Sequence, residues 1–187
     1  MNAPRWQAGS PCSILAYHGT NRRFDQFRRH APAASGSPTR DLGTFFSEAP
    51  RVAAHFALRP EVINEAYLDP QGSGCLLDDP WQLDSDPFLP HAQVVRARLS
   101  FARPAWVNPL DFAQWVEGLR HLPASIAGAQ VTAWREQLLQ AGHDGIGMCA
   151  HAALCVEYAG TTWIALDLAT IQIQDHLGVE DLWSVSA

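Results

Sequence analysis

The chain contains no lysine; all thirteen of its basic residues are arginine. Two readings fit that absence. A GC-rich coding sequence favours arginine, and a protein working inside a eukaryotic host escapes ubiquitin attachment, which needs the lysine amine. Composition leaves both open. No run approaches the roughly 18 apolar residues of a membrane-spanning helix. The opening stretch MNAPRWQAGSPCSILAY lacks the long apolar core of a secretory leader. The expectation is a chain with no membrane partner and no signal peptide, cytoplasmic or delivered into a host or target cell. The four cysteines, Cys12, Cys75, Cys149 and Cys155, form no CxxC or Cys/His ligand spacing, so no metal site is expected and the thiols read as free. Cys149 and Cys155 fall in apolar runs, where thiols are buried and inert. No GxSxG is present, and no cysteine has a recognisable nucleophile setting.

Excess basic charge is missing too. The formal net charge of −6 argues against a nucleic-acid sleeve, which needs a basic face. One local exception is the group Arg22, Arg23, Arg28, Arg29 and His30, either a solvated face or a basic patch. What is present is a 47% apolar composition with seven Trp in 187 residues, enough for one domain with a real core. No repeat or boundary divides residues 1–187.

Residues 1–12 read as a loose arm. Ser13 to His18 (SILAYH) is a short apolar strand ended by Gly19. Phe24 and Phe27, three apart, pack on the core as a helical turn. Residues 30–41 are loop by composition. Leu42 to Ser47 is a second strand, and Pro50 opens a helix at the position where its missing N–H costs nothing. Glu48 precedes it as a possible cap. Val52, Ala53, Phe56 and Ala57 form the helical stripe. Residues 59–92, rich in Pro, Asp and Gly, read as a long irregular insertion; its acids Asp78, Asp79, Asp84 and Asp86 have no metal-loop spacing.

Residues 93–101 (QVVRARLSF) alternate as a half-buried strand does. A helix follows from about Pro109, and a second spans 128–141 with a glycine stop. HDGIGMC opens a strand. Residues 153–158 and 162–167 read as a hairpin joined at Ala159-Gly160-Thr161. The order predicts an α+β fold, a split antiparallel sheet flanked by helices.

Two motifs stand out: AYHGT at 16–20, and DLGTFFSEAPRVAAHFA at 41–57. With RARLSFARPAWVN and LLQAGHDGIGM downstream, the chain resembles the ADP-ribosyltransferase superfamily, in its diphtheria-toxin-like and poly(ADP-ribose) polymerase branch. It is similar, too, to the small transferase domains of phage and bacterial toxins. The resemblance runs from Leu15 to about Gln174. It implies NAD as substrate and cleavage of the nicotinamide-ribose bond through an oxocarbenium-like state. Such a site holds the nicotinamide amide, fixes the ribose and sets negative charge beside the developing cation.

Carried over by position, His18 takes the ribose, Gly19 the nicotinamide amide, and Thr20 completes the turn. Phe45 stands where the branch has its tyrosine and Phe56 where it has its second stacking aromatic; rings remain at both, without a hydroxyl. Ser47 follows the double aromatic, and Ala53 stands where some relatives carry serine. The acid of the third motif is replaced by Thr162. In the predicted hairpin Glu157 faces Thr162 with Cβ atoms about 5 Å apart, so Glu157 is the candidate catalytic carboxylate beside His18 and Phe45. The alternative is a solvent-facing Glu157. Asp144 reads as a turn cap, Asp167 as a strand end, and His143 and His151 as surface or satisfied core histidines.

The resemblance implies a mono-ADP-ribosyltransferase acting on a macromolecule, a protein rather than a nucleic acid, as a bacterial toxin or effector. Threonine at the third motif favours a single transfer over chain elongation. The same cleft would serve an NAD glycohydrolase. A catalytically silent NAD or ADP-ribose binding module is the third possibility.

Overall fold

Eight strands form one mixed sheet in this computed structural model, which describes residues 2–28, 39, 41–57, 88–149 and 160–182. The strands are β1 (Trp6–Ala8), β2 (Cys12–Thr20), β3 (Thr44–Ser47), β4 (Gln93–Phe101), β5 (Pro104–Val107), β6 (Gly145–Cys149), β7 (Thr161–Ala165) and β8 (Ile171–Gly178). Their order across the sheet is β1-β5-β6-β7-β3-β2-β4-β8. The β5–β6 pair is parallel and every other neighbour pair is antiparallel. A parallel pair needs a crossover, and helices α2 (Pro109–Arg120) and α3 (Ala124–Gln140) supply it. The short helix α1 (Pro50–His55) follows β3. The molecule is therefore α+β, as its element order predicts.

Local chemistry sets these boundaries. Asn108 caps α2, its side-chain oxygen accepting from the N–H groups of Leu110 and Asp111, with Pro109 at the first turn. Helix α3 ends where Gly142 turns left-handed at φ 83°. His143 N–H then bonds the Leu138 carbonyl and Gly142 N–H the Leu139 carbonyl, the paired pattern that satisfies the last turn. The helix starts at Ala124, four residues before the segment read from sequence. The added turn, residues 124–127, precedes Gly128, around which there is open space.

Helices α2 and α3 bury Trp115, Leu119, Val131, Trp134 and Leu138 against Ile146, Ile164 and Leu166 of the sheet and its margin. The Trp115 and Trp134 rings meet edge to face at 4.7 Å, a geometry that adds about 1 kcal/mol beyond area burial. The opposite face of the sheet builds a second core from Ala16, Phe46, Ala97, Leu99, Phe101, Trp163 and Ala165.

That second core shows how the sheet bends. Phe101 of β4 stacks on Trp163 of β7 with centroids 5.4 Å apart and planes 22° apart. In a flat sheet three strand spacings, about 14 Å, would separate those strands. The β2-β4-β8 half and the β3-β7-β6-β5-β1 half therefore fold toward each other over these rings. Asp144, just before β6, latches the closure. Its carboxylate accepts from the N–H groups of Ala102 (2.6 Å) and Arg103 (3.1 Å) in the β4–β5 turn. Asp144→Ala is expected to cost about 2 kcal/mol, the range for hydrogen bonds to a charged acceptor, read as a lowered denaturation midpoint.

Two expectations change here. The first twelve residues are not a loose arm, because Trp6–Ala8 pairs with Val107, Trp106 and Ala105 at the sheet edge. The predicted hairpin of 153–158 with 162–167 is excluded from β7. Both edges of that strand are taken, one by β3 and the other by β6. Residues 58–87, most of the predicted insertion, lie outside the described residues.

Candidate functional site

The two halves of the sheet meet at a seam between β2 and β3. Strand β2 pairs with β4 along all nine residues, Cys12 to Thr20. With β3 it pairs at one position, Tyr17 opposite Ser47. Past Tyr17 no further β2–β3 pair occurs among the described residues, and His18, Gly19 and Thr20 pair with Val95, Val94 and Gln93 of β4. The His18 imidazole bridges the start of the gap. Its Nδ1 lies 2.8 Å from the Phe45 carbonyl oxygen. A carbonyl only accepts, so Nδ1 carries the hydrogen; in the neutral ring Nε2 is then the acceptor.

Rings hold that imidazole in place. Phe27 meets it edge-on at 5.2 Å, Phe46 at 5.6 Å and Phe24 at 6.3 Å. Phe24 and Phe27 contact each other at 4.8 Å, and Phe27 contacts Phe46 at 5.4 Å. These are not the rings assigned from sequence. Successive strand residues point to opposite faces; Phe46 takes the His18 side and Phe45 the helix side, where it packs against the α2–α3 core. Phe45 therefore touches His18 through its carbonyl, not its ring. The FF pair announced that one ring had to face the histidine. The i,i+3 spacing of Phe24 and Phe27 announced that both rings pack inward, but the segment bends without forming the expected helical turn, and the target of the packing was not announced.

Gly19 faces the other way, into α1. A Cβ there would overlap the Ala53 carbonyl oxygen and lie 2.7 Å from the Ala53 carbonyl carbon. Glycine thus lets the helix backbone rest directly on the strand. Phe56, at the end of α1, is 59% exposed. It sits on the Gly19 side of the strand, as Phe45 does, and away from the imidazole. The expected convergence of the Phe45 and Phe56 rings on His18 is not met. The structure sets His18 on one side of the seam and Gly19, Phe45 and α1 on the other.

The remaining assigned residues surround the same seam. Ser47 is buried, and its Oγ accepts from Ala49 N–H at 3.1 Å. Thr20 Oγ1 accepts from Arg22 N–H at 3.2 Å. Thr162 stands directly opposite Ser47 on β3 and Met148 on β6. With both ladder partners taken, it does not pair with Glu157. That correction follows from β7 being an interior strand. Glu157 itself lies outside the described residues, as do His151 and Cys155.

Other polar groups are structural. Glu48 does not cap α1, whose N-cap is Ala49. Its carboxylate accepts from Trp163 Nε1–H at 2.9 Å. His143 is buried, with its Nδ1 3.0 Å from the Arg103 carbonyl. Asp167 caps the short turn Leu168–Thr170. The Cys12 thiol is pushed up from its usual range, first by burial and then by the negative charges of Asp144 and Glu48. It stays protonated and is a poor nucleophile. Cys149 is exposed rather than buried. Among the described residues, no three His, Cys, Asp or Glu side chains gather to hold a metal, and no helix is long and apolar enough to cross a membrane.

Comparison of the chain with protein-family models, with curated proteins and with solved structures finds no match.

Proposed function

We propose that this chain is an NAD-dependent mono-ADP-ribosyltransferase of the split-sheet type, cleaving the nicotinamide-ribose bond and passing ADP-ribose to a protein acceptor as a bacterial toxin or effector. One observation carries the reading: the ladder between β2 and β3 stops at Tyr17, immediately before the His18-Gly19 pair. A strand edge without a ladder partner offers N–H and C=O groups in alternation. A carboxamide such as that of nicotinamide needs one of each. His18, held at Nδ1 by the Phe45 carbonyl, is the ribose-binding residue in this reading.

The test is incubation with NAD labelled in its adenylate half, with and without protein from a target cell. Label transfer to protein supports the transferase. Nicotinamide release without an acceptor supports a glycohydrolase in the same cleft.

A second reading has its own observation. Thr162 sits between Ser47 and Met148, neither of them a carboxylate, which favours a catalytically silent NAD-binding module. Glu157→Gln separates the two. If Glu157 donates the charge, nicotinamide release falls by about 10²-fold or more, the scale of losing one preorganised electrostatic group. NAD binding by calorimetry, with no turnover in either protein, selects the silent module.

A further inference from the structure

The segment 21–28 is amphipathic in a way that the packing of His18 uses only in part. Its two phenylalanines dock on the imidazole, as described. Its backbone is tied at the other end: Arg22 N–H bonds Thr20 Oγ1, and Gln93 Nε2 donates to the Arg22 carbonyl at 3.0 Å. The segment is thus a strap held by its phenylalanines against His18 and by Gln93 against β4. Its outward residues include Arg22, Arg23 and Arg28, all exposed.

These three guanidinium groups differ from most others in the chain. Arg96 pairs with Asp175 and Arg120 with Glu117. Arg51, Arg103 and Arg135 donate to the carbonyls of Leu182, Ala141 and Leu166. The side chains of Arg22, Arg23 and Arg28 have no partner among the described residues. The one carboxylate in the strap is Asp25. In a chain of net charge −6, three unpaired cations sit on one short segment against the histidine of the candidate site.

We infer that the strap is an anion-binding element and that Arg22, Arg23 and Arg28 hold the diphosphate of NAD. The inference rests on the NAD reading above. A dinucleotide with one ribose at His18 carries its two phosphates immediately beyond that ribose. Planar guanidinium groups bind phosphate oxygens through paired N–H donors. The ring contacts matter because they fix the cations relative to His18, lowering the ordering cost of binding. The contact is the same in substrate and transition state, so it acts on affinity rather than on the chemical step.

The probe is ADP-ribose, which carries the diphosphate but no nicotinamide, titrated calorimetrically into the whole chain. The triple variant R22Q/R23Q/R28Q is expected to bind it roughly tenfold or more weakly. Binding to the wild type weakens as salt is raised, and that salt dependence is flattened in the variant. The matching triple Lys variant recovers part of the affinity by keeping the charge. Circular dichroism confirms that each variant folds, and F27L, which leaves the cations in place but loosens their anchor, provides a second measurement with an intermediate loss. An unchanged ADP-ribose affinity in the triple Gln variant overturns the strap inference while leaving the NAD reading standing. A wild-type chain that binds neither ADP-ribose nor NAD overturns both.

Discussion

Replacing His18 with alanine is expected to lower NAD cleavage by about 10²-fold or more while the protein stays folded. The size follows from the role. An imidazole fixed by the Phe45 carbonyl and three rings is a preorganised group, and misplacing a substrate by an ångström costs rate on that scale. Folding should survive because His18 lies where the β2–β3 ladder has already stopped. Its loss removes a hydrogen bond to a backbone carbonyl, worth about 1 kcal/mol, together with its contacts to Phe24, Phe27 and Phe46. His18→Asn is the informative companion, since the amide can still reach the carbonyl without an Nε2 acceptor. Nicotinamide release measured against thermal stability separates the two effects. A fully active His18→Ala protein would remove the transferase assignment.

Gly19→Ala is expected to act on the fold itself. The obstacle to the new methyl group is backbone: the Ala53 carbonyl, with the Ala57 nitrogen 3.2 Å away. Backbone cannot rotate aside as a side chain can, so α1 must move off β2. The helix buries Ala53, Ala54 and Ala57 beside Val94, Phe88 and Val179, and that small core opens when it shifts. Overpacking of a tight site costs 1–3 kcal/mol; with backbone as the obstacle, about 3 kcal/mol is expected here. Equilibrium denaturation should show a lower midpoint, and NAD affinity should fall with it. Wild-type stability in Gly19→Ala would mean that α1 rests elsewhere.

The contrast between these two neighbours marks what the sequence could reveal. Strand β4 is readable residue for residue, because QVVRARLSF alternates and Pro104 ends it. The start of α2 is equally plain from Asn108-Pro109. The His-Gly pair and the double phenylalanine are visible as motifs for the same reason: each departs from a bland pattern, although the strand expected to end at Gly19 runs on to Thr20. Which phenylalanine faces the histidine is not visible, because that depends on where Tyr17 meets Ser47. A one-residue slip would exchange Phe45 and Phe46. The Glu157–Thr162 pairing failed on non-local information too. A short apolar run before a glycine looks like half of a hairpin, and only the positions of β3 and β6 reveal that β7 has no edge to offer. The edge strand Trp6–Ala8 was hidden by brevity: three residues with no alternation to display.

The seam also separates two kinds of constraint. Within each half, backbone ladders and packed rings tie every residue to several others, so substitutions there are answered by the whole half. Across the seam the halves share one ladder pair and a side chain's grip on a carbonyl, with the Phe101–Trp163 stack and the Asp144 latch joining them away from its lips. Residues on its lips can therefore be exchanged without redrawing either hydrogen-bond network. A scaffold jointed in this way can revise what it accepts at the joint while inheriting its architecture unchanged.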